Sequence, residues 1–123
     1  MRAWAKGLLC VEAAVELLIG HRWWLCRKDF ARVAVGPGRN VFTGTVVAAV
    51  DFEAAVAALD RGVLPCSHSE GQVLRVAASL AAGVPVDLRE AITGLDESTV
   101  ILVAGVACHA AGHRVAVMAE SGR

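Results

Sequence analysis

The second half of the chain is a succession of short apolar segments, each preceded by a helix-start residue and most followed by a glycine. Asp51 precedes 52–59, Ser67 with Glu70 precedes 73–82, Asp87 precedes 88–92, and Asp96 or Ser98 precedes 100–111. Asp and Ser side chains accept the amide hydrogens that a first helical turn leaves unpaired. Ser67-His68-Ser69-Glu70 fits a capping box, in which serine and glutamate each satisfy a backbone donor of the other. Gly62, Gly83, Gly94 and Gly112 stand where these helices should stop. Phe52, Ala55, Val56 and Leu59 form one stripe, and Val73, Val76, Ala77 and Leu80 form another. A chain punctuated this closely is expected to fold as short helices around one core, with brief connections.

At 123 residues the chain is long enough for one domain with a real core. Its apolar fraction of 56% exceeds the usual range of about 45–50%, and much of the excess is Ala and Val. Net charge is zero but unevenly spread. Residues 1–40 hold seven cationic against three acidic side chains, a net +4, which leaves −4 for 41–123. Little charge repulsion opposes association of so apolar and neutral a protein, so a homo-oligomer is expected.

In the first half, Trp4, Leu8, Val11, Val15, Leu18 and Ile19 recur at helical steps, which predicts an amphipathic helix over 3–19 that Gly20 ends or bends. Asp29 is placed to cap a short helix over 30–35. Gly36-Pro37-Gly38-Arg39-Asn40 is the clearest breaker. It divides the expected single domain, 1–123, into a basic helical arm at 1–35 and a helical core at 41–118. Val41, Phe42, Thr43, Thr45, Val46 and Val47 favour extended chain, so 41–50 is either a short strand or an early start of the next helix. The last helix is apolar on nearly every side, which suits the middle of a bundle or a subunit contact. The fold class expected is mainly α: five to six short helices, with at most a short strand or small β wing.

No run approaches the ~18 apolar residues of a membrane span. Leu8 to Ile19 is interrupted by Glu12 and Glu16, unlike a secretory leader, so a cytoplasmic protein with no membrane partner is expected. Cys10, Cys26, Cys66 and Cys108 are scattered, three of them in apolar helical surroundings, and are expected to be reduced and structural. There is no glycine-rich loop followed by Lys-Ser/Thr and no Gly-x-Ser-x-Gly elbow, and Asp87, Asp96 and Glu97 stand where capping acids belong. The expectation is a non-enzymatic chain without a cofactor.

Two clusters could still carry chemistry. His21 to Lys28 interleaves Arg22, Arg27 and Lys28 with the adjacent Trp23 and Trp24. Trp and Arg are common interface anchors, and aromatic groups among bases also stack on single-stranded nucleic acid. Adjacent helical residues point about 100° apart, so both indoles cannot readily be buried in one place. Arg22, Trp23, Trp24, Arg27 and Lys28 are therefore the expected partner-binding residues. His109 and His113 are four apart, a spacing that could place two imidazoles on one ion, with Cys66 and His68 as further donors. The competing expectation is two histidines at a helix end, with no metal bound.

Residues 70–118 resemble the winged helix-turn-helix regulators. The counterparts are a leading helix at 70–82, a two-turn helix at 87–93, a tight turn at 94–97, a recognition helix at 98–111 opened by Ser98-Thr99-Val100, and a strand at 113–118 behind Ala111-Gly112. That resemblance implies a nucleic-acid-binding regulator. Base edges are read by Arg, Lys, Asn or Gln, whereas this helix offers Ser98, Thr99 and His109, with no Lys or Arg before Arg114. The residues thus favour a small interaction or oligomerisation module, with the regulator as the alternative.

Overall fold

Helix α2 (Leu9–His21) is the axis of the fold in the computed structural model, which describes residues 1–113. Before it lies the single turn α1 (Arg2–Ala5). After it come a 3-10 turn (Trp24–Cys26), α3 (Lys28–Ala34), strands β1 (Val35–Arg39) and β2 (Val46–Val50), and helices α4 (Phe52–Asp60), α5 (His68–Ala82), α6 (Leu88–Thr93) and α7 (Glu97–Ala110). The mainly α class holds, with a small β element and, among the described residues, seven α-helices rather than five or six.

The caps of the second half form as the sequence predicts. Asp51 accepts from the Ala54 amide, Asp87 from Glu90 and Asp96 from Thr99, so Asp96 rather than Ser98 opens α7. Ser67 and Glu70 close the capping box at α5. Gly62 and Gly83 take left-handed φ values of 75° and 70° just past α4 and at the end of α5.

α2 packs against α5 on one side and α7 on another, while α4 and α6 also lean on α5. Ala13, Ala14, Val15, Leu17 and Leu18 of α2 are all fully buried, as are Val73, Leu74, Ala77 and Ala78 of α5. Alanines on both helices let the axes approach closely. Each fully buried leucine contributes roughly 1.5–3 kcal/mol of transfer free energy. Gly20 does not end α2. It lies inside the helix, where a Cβ would come 2.8 Å from Leu102 Cδ1, so α7 rests on bare α2 backbone.

The division into arm and core is not found. α2, the supposed arm, supplies the centre of the core. Its expected helix is two, because the chain breaks at Gly7, with φ 97°. The breaker at 36–40 is mostly strand: β1 pairs antiparallel with β2, Val35 opposite Val50 and Arg39 opposite Val46. Bonds from Asp51 N to the Ala34 carbonyl and from Asn40 N to the Thr45 carbonyl bracket the ribbon. Alternation between them places Pro37 opposite Ala48 in a pair that exchanges no ladder bond, so its missing N–H costs nothing. Gly38 has no room for a side chain: a Cβ would sit 2.5 Å from Ala49 Cβ and 3.3 Å from the Trp4 indole.

Buried Asn40 ties this ribbon to α1. Its amide donates to the Ala3 and Lys6 carbonyls at 2.7 and 3.1 Å, and its oxygen accepts from the Phe42 and Thr43 amides at 2.8 and 3.1 Å. A wing strand at 113–118 lies outside the described residues apart from His113, which is in neither helix nor strand.

Candidate partner-binding surfaces

The first candidate surface begins where α2 stops. Its C-cap is Arg22, with φ 69°, the only non-glycine residue of positive φ among the described residues, and its amide donates to the Leu18 carbonyl. A left-handed backbone costs an L-residue roughly 1–2 kcal/mol, which is why glycine usually holds this position. The turn sends the two indoles opposite ways. Trp24 goes inward and is fully buried, tilted against Phe30 at 5.6 Å, its Nε1 donating to the Glu70 carbonyl at 2.9 Å. Trp23 goes outward and stays 43% exposed.

Arg27 holds this arrangement together. Its guanidinium lies 5.0 Å from the Trp24 ring centre and 5.8 Å from that of Trp23. It forks onto both oxygens of Asp29 and donates to the Pro65 carbonyl. Asp29 therefore sits in the first turn of α3 as the partner of Arg27 rather than as the cap. Arg27, helped by the Phe30 amide, holds the Asp29 carboxyl below its ordinary range.

His21, Arg22, Trp23, Cys26, Arg27 and Glu70 line one open hollow of about 530 Å³. Of the five expected contact residues, Arg22, Trp23 and Arg27 share it. Lys28 is exposed at the start of α3 but does not line it, and Trp24 is withdrawn into the core, where it cannot touch a partner. His21, Cys26 and Glu70 complete the wall. Nδ1 of His21 is buried and has no hydrogen-bond partner among the described residues. Glu70 gave only a capping signal in the sequence, because it reaches Trp24 from 46 residues away.

The histidine pair does not assemble a metal site. His109 Nε2 lies 2.7 Å from Glu12 Oε1, and the other oxygen of Glu12 accepts the Gly7 amide at 2.6 Å. The Gly7 amide and then His109 hold the Glu12 carboxyl below its usual range. Cys66 packs near Gly71 and Leu59, while His68 faces Glu90 at 3.8 Å. Burial, then the neighbouring Glu70, pushes the Cys66 thiol up. Among the described residues no three His, Cys, Asp or Glu side chains are grouped to hold an ion. Glu12 and His109 instead form part of the wall of a second cavity, about 440 Å³, between α1, α2 and α7, floored by Ala3, Ala5 and Val15.

The remaining surface is α7. Its inward side chains Val103 and Val106 are buried, while Ile101 is 47% exposed and Ala104, Gly105 and Cys108 are half-buried. No charged side chain occurs from Ser98 to Cys108. All four cysteines are free thiols, but Cys10 and Cys26 are exposed rather than packed as small core hydrophobes. Val41 and Phe42 at the ribbon tip are exposed as well, although a Val-Phe pair reads in sequence as strand interior. Among the described residues no helix is long and apolar enough to cross a membrane. No protein-family model, curated protein or solved structure matches this chain.

Proposed function

We propose that this chain is a small, non-enzymatic, cytoplasmic protein-interaction and oligomerisation module that presents the hollow around Trp23 to an acidic protein segment. The observation that carries the reading is the opposed placement of neighbouring indoles, Trp24 locked in the core and Trp23 43% exposed beside Arg22. A rigid aromatic ring next to a cationic side chain is the usual composition of an interface anchor. The ring stands on a strained cap at Arg22, with the Arg27–Asp29 fork behind it. The acids at the helix starts are engaged in capping.

The test is fluorescence anisotropy with labelled acidic peptides and labelled single- and double-stranded DNA, at low and high salt. Acidic peptide should bind. Trp23→Ala and Arg22→Ala should each weaken binding about 10-fold or more, while the thermal midpoint barely moves. Equal loss of binding and stability would refute the reading. DNA binding with a steep salt slope, retained in Trp23→Ala, would transfer the function to a winged-helix regulator that uses the start of α7.

A further inference from the structure

We infer that two copies of this chain pair through the outward face of α7, antiparallel, about a twofold axis beside Ala104 and Gly105. The pairing gives the oligomerisation reading above a specific surface and geometry. On a helix of 3.6 residues per turn, Glu97, Ile101, Ala104, Gly105 and Cys108 fall on the side opposite buried Val103 and Val106. The centre of this stripe carries only the small side chains of Ala104, Gly105 and Cys108, and Ile101 is its one large apolar side chain, 47% exposed. A twofold axis at Ala104 and Gly105 lays Ile101 of each copy over the small side chains of Ala104, Gly105 and Cys108 of the other. A symmetric contact is made by one patch meeting itself, so the patch must be self-complementary.

Charge selects both the occupant and its direction. The face is uncharged from Ser98 to Cys108, so two copies meet there without repulsion, and the chain as a whole is neutral. Its ends are opposite in character: Asp96 and Glu97 open the helix, while His113, with Arg114 next in sequence, follows it. Antiparallel pairing brings acidic end to basic end and opposes the two helix dipoles favourably, whereas parallel pairing would set acid on acid.

The experiment uses the full chain in two steps. Light scattering should give twice 12.8 kDa at high concentration, falling toward 12.8 kDa on dilution. Ile101→Glu should raise the dissociation constant at least 10-fold, with the circular dichroism spectrum retained and the thermal midpoint unchanged at concentrations where both proteins are monomeric. Ile101→Cys under mild oxidation should then yield a disulfide joining position 101 of one copy to Cys108 of the other, identified by peptide mass and abolished by Cys108→Ser. A wild type that stays monomeric at every concentration overturns both this pairing and the oligomerisation reading. A dimer unaffected by Ile101→Glu overturns the pairing alone, and so does a cross-link that joins position 101 to itself. Should Ile101→Glu fail to fold, the oxidation experiment decides.

Discussion

α2 and α7 are the same kind of helix in different positions. They run thirteen and fourteen residues, and apolar side chains surround nearly the whole of each. α2 even carries two carboxylates, Glu12 and Glu16, where α7 has no charge between Glu97 and His109. Yet α2 buries five residues and α7 only two. The difference lies in their neighbours. α2 is packed by α1, α5 and α7, while α7 packs chiefly on α2. Composition sets how much apolar surface a helix must hide, but the number of elements around it decides how much it hides within one chain. An ordinary surface helix resolves this with a polar face. α7 has none, and the antiparallel pairing would supply the missing cover.

The largest expected effect tests the buried side of this contrast. Leu17→Ala in α2 should cost about 2–5 kcal/mol in urea unfolding, because α5 and α7 cannot close the cavity left behind. Ile101→Ala in α7 should cost under about 1 kcal/mol at concentrations where the chain is monomeric. Comparable losses at the two positions would show that α7 is as deeply held as α2 and would break the comparison.

A smaller effect should appear where the two helices touch. Gly20→Leu puts a side chain where Leu102 now rests and should cost about 1–3 kcal/mol by overpacking. Because the clash is with one flexible side chain, Leu102→Ala in the same protein should recover most of the loss. Hydrogen exchange should show the amides of α7 opening in Gly20→Leu while those of α5 stay protected. Uniform loss of protection would mean that α7 is not separable from the rest of the core.

Signals confined to a few residues were legible in the sequence. The starts of α4 to α7 follow from Asp51, Ser67 with Glu70, Asp87 and Asp96, each of which bonds an amide three residues on. What depended on distant partners was not legible. Gly36-Pro37-Gly38 is a breaker by composition and a strand only because β2 pairs with it and the Pro37 nitrogen faces outward. The placement of α2 at the centre depends on two helices that begin only at His68 and Glu97. At the Trp23 hollow, helical geometry separates the two indoles, but which one turns inward depends on the left-handed Arg22, a conformation no local signal announces. Glu70, which helps complete the wall of the hollow, arrives through the tertiary fold.

The smallest expected effect sharpens the comparison at the far end of α7, where Glu12 of α2 meets His109. The folded state holds the Glu12 carboxyl below its unfolded value of about 4.3, first through the Gly7 amide and then through His109, with Lys6 adding a weaker attraction. A depressed carboxyl stabilises the fold above its unfolded value and loses that contribution as pH falls through the folded one. The contact should therefore be fully present at neutral pH and fade in acid, below about pH 4. Both side chains reach solvent, 24% for Glu12 and 39% for His109, so screening limits the gain to about 1 kcal/mol or less. Urea midpoints measured from pH 7 down to pH 3 should fall more steeply for the wild type than for Glu12→Gln, which keeps the shape and removes the titration. Hydrogen exchange in acid should rise first over 106–110 rather than at the centre of α2. Parallel pH profiles for the two proteins would mean that the contact between Glu12 and His109 adds nothing measurable to the hold on this end of α7.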